Sequence, residues 1–344
     1  MGPAGLGADN LTTYLLLGAG FSRNWGGWLA SETFEYLLGT AEVRANEVIR
    51  ALLWKHQRQG GFEYALAELQ VQASRSPHGP ETKALNELQA AVLRMFSDMN
   101  RAYEKHDWNF TNDMSMQVGP FLGKFDAIFT LNQDILLELN YVPNIHAYGL
   151  PRFRSVTLPG MRRRVSVGDD PRKGQSWAWS RWVPEGDFAV LNGCQPIYKL
   201  HGSANWHVAD GDSMLIIGGE KSGGIARNQV LSTYMREFER RVSTATAKLM
   251  VIGYGFRDDH INRILFAAAN LGMKLFVIDP LGGNLADSLN LTRKANHVIA
   301  GTDTENLFER SLIGASRRGL ADTFNHDYAE HDKLMRFFDE RPAV

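Results

Sequence analysis

Short apolar runs alternate along this chain with stretches whose apolar positions recur every three or four residues. Thr12–Leu17 (TTYLLL) is β-branched and apolar and stops at Gly18-Ala19-Gly20, the pattern of a buried strand entering a tight turn. Between Trp28 and Phe110 the spacing becomes helical. Phe34, Leu37 and Leu38 recur at such intervals, as do Leu66, Leu69, Leu85, Leu88, Val92 and Phe96, with Ser74–Pro80 as a polar break. Four more apolar runs predict strands: Phe125–Leu131, Ile197–Leu200, Lys248–Ile252 and Leu275–Ile278. Helices are expected from Ile135 and from near Asp258, where an acidic residue suits the unpaired amides of a first turn. Pro143–Pro196 has no regular pattern and concentrates Arg152, Arg154, Arg162–Arg164, Trp177, Trp179 and Trp182, which reads as an inserted module or flap. The remainder to Val344 reads as helical and charged.

Strands that each end in a polar or Gly-rich segment, with helices between several of them, predict an α/β fold: an open, mainly parallel sheet covered on both faces. Ligands of such sheets bind outside the carboxyl ends of the strands, which is where the polar clusters fall. The 344 residues, 44% hydrophobic and 22% charged, exclude a disordered or fibrous chain and suit about two domains, or one with an inserted module. Lys+Arg 37 against Asp+Glu 38 gives a net charge of −1, so direct nucleic-acid binding by this chain is not expected. The single cysteine, Cys194, cannot form an intrachain disulfide or a four-cysteine or Cys₂His₂ zinc site, and its own role stays unexplained. Met1–Asn10 lacks a basic-then-apolar leader pattern, and no apolar run approaches the ~18 residues of a spanning helix. A cytoplasmic protein without a membrane segment is expected.

Four clusters could carry chemistry. Gly18-Ala19-Gly20-Phe21-Ser22 could turn sharply against a pyrophosphate held by helix N-terminal amides, although Arg23 replaces the third glycine of the usual dinucleotide fingerprint; a plain strand–helix turn explains it equally well. Asn132 and Asp134 could hydrogen-bond a ribose or a carboxamide, or simply cap the following helix. His201, beside Gly202 at a strand end, suits general-base work, yet a lone histidine is more often structural, and His146, His207 and His260 are not distinguished from it by type. Gly253-Tyr254-Gly255-Phe256, with Asp258, Asp259, His260 and Asn262, is either a ligand loop or a loop with a capped helix. Asp279 suits a ribose hydroxyl, and suits a turn as well.

Taken in order as GAGFS, LNQD, KLHG and GYGFRDDHIN, the clusters resemble the sirtuin (SIR2) superfamily. More closely, they resemble the SIR2-like NAD-consuming effectors of bacterial anti-phage defence, of which the SIR2 subunit of HerA–SIR2 systems is one type. The resemblance covers about Leu15 to Pro280. It implies a Rossmann-like catalytic domain over residues 1–310, with a helical insertion at 28–115, an Arg/Trp-rich module at 143–196 and a helical tail at 311–344. It implies that Gly18, Ala19, Gly20 and Ser22 cradle the NAD phosphates, and that Gly253, Tyr254, Gly255 and Asp279 complete the nucleotide site. Asn132 would position the nicotinamide ribose or the attacking water, Asp134 would bind at the carboxamide pocket, and His201 would be the catalytic base. Asp258 and His260 belong to the variant typical of the defence-type branch.

The departures from that family shape the expected function. Deacylases of the family continue the glycine loop as Gly-Ile-Pro-Asp-Phe-Arg where this chain has Asn24-Trp25-Gly26-Gly27-Trp28, and Leu131 stands in place of the family's Gln. The zinc ribbon that supports their acyl-peptide cleft cannot be built from one cysteine. The expectation is therefore hydrolysis of NAD+ to nicotinamide and ADP-ribose, with NAD+ as substrate, no zinc ribbon and no catalytic metal. The resemblance further implies a homo-oligomeric toxic effector held inactive until it assembles with a HerA/FtsK-like ATPase partner. An acyl-lysine deacylase and a non-catalytic NAD or ADP-ribose binding module are the alternatives. A nuclease is weaker, since Asp258, Asp259 and His260 have no separate carboxylate cluster to complete a metal site.

Overall fold

The computed structural model describes residues 11–58, 61–164, 181–208, 213–215, 221–289 and 301–339. Its strands are β1 (Thr12–Leu17), β2 (Ala127–Thr130), β3 (Ser155–Thr157), β4 (Met161–Arg164), β5 (Arg181–Pro184), β6 (Cys194–Lys199), β7 (Gly202–His207), β8 (Ser213–Leu215), β9 (Ala247–Ile252), β10 (Lys274–Ile278) and β11 (Leu312–Ser316). Among the described residues, seven of them make one parallel sheet in the order β11-β10-β9-β1-β2-β6-β3. This is the Rossmann-like α/β architecture that the five apolar runs predict. Leu15, Leu16 and Leu17 of central β1 are 0% exposed; a strand covered on both faces reads as an unbroken apolar run.

The register aligns Ser316, Ile278, Ile252, Leu17, Thr130 and Lys199 in one row across six strands. From β1 the chain moves to β2 and β6 on one side and later to β9 and β10 on the other. The order therefore reverses between β1 and β9, which is where doubly wound sheets open a crevice for ligands.

Between β1 and β2, helices at Ala30–Gly39, Ala41–Ala45, Glu47–His56, Phe62–Arg75 and Pro80–Tyr103 occupy the 28–115 segment. Leu66, Leu69, Leu88 and Val92 are buried there. Trp25 ties the turn after β1 to the far end of these helices. Its ring stacks on Trp108 at 4.6 Å and on Phe110 at 5.0 Å, and its Nε1–H donates to the Trp108 carbonyl. Among the described residues no helix is long and apolar enough to cross a membrane.

Two expectations need correction. Residues 311–339 are not a purely helical tail: Leu312–Ser316 pairs in parallel with β10 as an edge strand of the main sheet, and the helices Leu320–Thr323 and Tyr328–Met335 follow it. Gly314 permits this approach, because a Cβ there would stand 2.6 Å from the Phe276 ring. Leu-Ile-Gly-Ala-Ser is too short and too rich in small residues to show a strand period. Phe337 and Phe338 then pack on Phe125, so this segment belongs to the core. Nor is Pro143–Pro196 irregular throughout. β3 extends the main sheet beside β6, while β4 and β5 join β7 and β8 in a second, mixed sheet. Trp182 of that module is buried and pairs with Trp206; Trp177 and Trp179 lie outside the described residues.

Candidate active site

The candidate residues stand just beyond the aligned row. Gly18 follows Leu17, Gly253 follows Ile252 and Asp279 follows Ile278, while Asn132 and His201 each come two residues after the paired Thr130 and Lys199. The glycine loop is shaped by backbone contact with its neighbour. Gly18 N–H donates to Ile252 O and Gly20 N–H to Gly253 O, both at 2.9 Å. A Cβ on Gly18 would lie 2.5 Å from Gly253 O, and one on Gly253 would lie 2.4 Å from Gly20 Cα. Gly253 also has a φ of +64°, which L side chains rarely adopt. These glycines thus first allow two loops to cross. The Gly20 amide, expected at a phosphate, is committed to Gly253. Ala19, exposed at the start of the helical turn Ala19–Ser22, and Gly255, whose missing Cβ would meet nothing within 4 Å, face open space.

A buried relay fixes Asn132. Its Nδ2 lies 3.0 Å from Gly18 O and 3.0 Å from Ser22 Oγ, and Ser22 Oγ donates to Asp134 Oδ2 at 2.8 Å. Gly18 O only accepts, so the atom facing it must be the NH₂ group, which settles the amide's orientation. The Asp134 carboxylate takes the Ser22 proton, leaving the Ser22 lone pairs to accept from Asn132. Both Nδ2 hydrogens are therefore committed to the protein, and Oδ1 is the end of the amide left to accept from a ligand. Asp134 does not present its carboxylate to a carboxamide: it is 7% exposed, and its other oxygen accepts Leu136 N–H at 3.0 Å. Burial pushes this carboxyl up, against the pull of Lys199 and of its own hydrogen bonds. Replacing Ser22 with alanine should lower stability by about 1–3 kcal/mol, the cost of an unsatisfied buried acceptor, as read by urea denaturation.

Lys199 and Glu138 lie behind this relay, and sequence reasoning missed both. Lys199 Nζ pairs with Glu138 Oε1 at 2.7 Å and also donates to the Asp134 carbonyl, with side chains only 2% and 3% exposed. Ser22, Asn132, Asp134, Glu138 and Lys199 line a cavity of about 10 Å³, which has room for at most one water molecule and none for a nucleotide. The available signal was a lysine inside the apolar run Ile197–Leu200.

His201 is 3% exposed, and its Nε2 lies 2.9 Å from His260 Nε2. Gln133 steadies this segment: its carbonyl accepts Ala204 N–H at 2.9 Å, and its Nε2 reaches His201 O at 3.4 Å. Asp258 completes a cluster in which one ligand atom each from His201, Asp258 and His260 lies within 4.8 Å of the others. The loop before Asp258 is clamped from within. Tyr254, 4% exposed, donates to Asn262 Oδ1 at 2.9 Å and accepts from Asp258 N–H at 3.1 Å, while Asn262 Nδ2 holds Phe256 O at 2.9 Å. Phe256 has a φ of +52°, a strained value that this clamp maintains. The Tyr254 hydroxyl is therefore committed to the loop's frame. One oxygen of Asp279 accepts Leu281 N–H at 2.8 Å as a turn, so the other is the one available to a ribose.

Residues 126–279 match the family model of the SIR2-like domain. The match takes in Asn132, Asp134, His201, Gly253–Phe256, Asp258, His260 and Asp279; Gly18–Ser22 and the helical segment lie outside it. It supports membership of the sirtuin superfamily, and SIR2-like domains are in general NAD-dependent enzymes. A comparison with curated proteins gives no match.

Proposed function

We propose that this protein hydrolyses NAD+ to nicotinamide and ADP-ribose, and that it serves as an anti-phage effector that depletes NAD+ once assembled with an ATPase partner. The observation that carries the reading is the pinned Asn132 amide, two residues past the Thr130 end of β2, whose Nδ2 is held by Gly18 O and Ser22 Oγ so that Oδ1 is its acceptor for a ligand. In the reaction the bond from ribose C1′ to the pyridinium nitrogen breaks, and the electron pair neutralises the departing ring. The resulting oxocarbenium-like ribose is captured by water. Asn132 Oδ1 accepts a hydrogen from that water or from a ribose hydroxyl and so fixes its position. His201 takes the released proton. Its Nε2 contact with His260 needs one lone pair and one proton between the two nitrogens; with His260 as the donor, His201 Nε2 carries that lone pair, and taking up the water's proton there parts the two rings.

The single cysteine, which cannot build the acyl-peptide support of the deacylases, favours hydrolysis over deacylation. Trp54 and Tyr64, 54% and 50% exposed on the inserted helices, are assembly-surface candidates, since exposed aromatics are enriched at interface hot spots. The test is nicotinamide release from NAD+, followed by chromatography with and without the partner ATPase and with mass photometry on the same sample. The expected result is one nicotinamide per NAD+ lost, without any acyl peptide. Release only with an acylated peptide, together with O-acyl-ADP-ribose, would replace this reading by deacylation.

A further inference from the structure

We infer that His201, His260 and Asp258 form a binding site for one divalent transition-metal ion of the zinc class, and that its occupation switches the active site off. The switching half rests on the proposed hydrolysis; the binding half does not. Two imidazole Nε2 atoms face each other at 2.9 Å, with an Asp258 carboxylate oxygen within 4.8 Å of both. Zinc binds His nitrogen at about 2.0–2.1 Å and carboxylate oxygen at about 2.0–2.2 Å. One ion between the two rings therefore reaches both nitrogens with little movement, and a rotation of the Asp258 side chain brings in the third ligand.

The three ligands sit on rigid supports, as a metal site requires. His201 leaves β6, is held through Gln133, and precedes Gly202 at a φ of +75°. Asp258 and His260 occupy the start of a helix whose Ile261, Asn262 and Leu265 are buried, and Asn262 locks the preceding loop. Two imidazoles and one carboxylate select zinc, cobalt or nickel rather than magnesium or calcium, which take oxygen ligands. Three protein ligands leave a fourth coordination position for water. A metal on His201 Nε2 occupies the lone pair that proton removal from water needs. Metal binding and base action therefore exclude one another.

The experiment is a titration of chelator-treated, tag-free full-length chain with Co²⁺ alone, read by visible d–d absorption and competed with Zn²⁺ and with Mg²⁺. The expected result is one Co²⁺ per chain, displaced by Zn²⁺ and not by Mg²⁺. His260→Gln and Asp258→Asn, each checked for folding by circular dichroism, should weaken binding by at least the roughly 10–100-fold that loss of an outer-shell partner costs. No Co²⁺ band, or a band unchanged in both variants, overturns the site and leaves a histidine pair that shares a proton. In parallel, Zn²⁺ should inhibit nicotinamide release from NAD+ by the unmodified protein, with half-inhibition at the concentration that half-fills the site. Full turnover at saturating Zn²⁺ overturns the switch. A chain that binds Co²⁺ as expected yet never releases nicotinamide overturns the hydrolase reading and leaves the metal site standing.

Discussion

Replacing His201 with alanine should lower nicotinamide release from NAD+ by roughly 10²–10⁴-fold, the range for loss of a positioned base, in a chain that keeps its secondary structure by circular dichroism. His201 is 3% exposed and lies two residues beyond the end of β6, so its side chain takes no part in the backbone pairing of that strand. Asn132→Ala should produce a loss of similar order through a different route, because Oδ1 then no longer positions the water or ribose. Asn132→Asp separates geometry from charge. An aspartate offers only acceptors, and the Gly18 carbonyl that now receives Nδ2–H at 3.0 Å would face a carboxylate oxygen instead. Both of the amide's anchoring bonds would be lost, so the variant should be as inactive as Asn132→Ala although it is nearly isosteric. Unchanged turnover in both His201→Ala and Asn132→Ala would remove the assignment.

The legible part of this molecule is the part where one physical rule acts alone. β1, β2, β6, β9 and β10 are buried on both faces, so their apolar runs stand out, and the polar residues at their ends mark the cleft. β11 was illegible because an edge strand of small residues carries no unbroken apolar run. The second sheet was illegible because β4, Met-Arg-Arg-Arg, has three arginines in four positions, and only its pairing with β5 makes it a strand. The site divides in the same way. The positions of Asn132 and His201 at strand ends were legible in the sequence. The roles of Asp134 and Tyr254 were not, because whether a polar side chain meets a ligand or another side chain depends on contacts between distant segments. Ser22 and Asp134, for example, are 112 residues apart in sequence and 2.8 Å apart in space.

Lys199 should be the residue whose loss costs most stability. Lys199→Met leaves Glu138 and Asp134 buried without their cation, and breaking such a buried pair costs about 3–5 kcal/mol, measurable by urea denaturation. The double variant Lys199→Met/Glu138→Leu should recover most of that loss, since an apolar pair of similar volume removes the stranded charge along with its partner. The deficit of the single variant should also depend on pH, with a definite sign. Burial already pushes both carboxyls up, and Lys199 is the group that opposes it. Without Lys199 both rise further above their unfolded values, so the folded state binds more protons than the unfolded one. Stability then falls as pH rises from the unfolded carboxylate range through the raised folded values, and Lys199→Met should be less stable at pH 8 than at pH 5. A single variant within about 0.5 kcal/mol of the parent, or a deficit that shrinks with rising pH, would mean that this lysine does not oppose the upward push of burial on Glu138 and Asp134. Lys199 also donates to the Asp134 carbonyl and stands two residues before His201. One buried cation therefore supports both the relay that holds Asn132 and the strand that leads to His201, so on the proposed mechanism its loss should depress turnover in the single variant even where the protein remains folded.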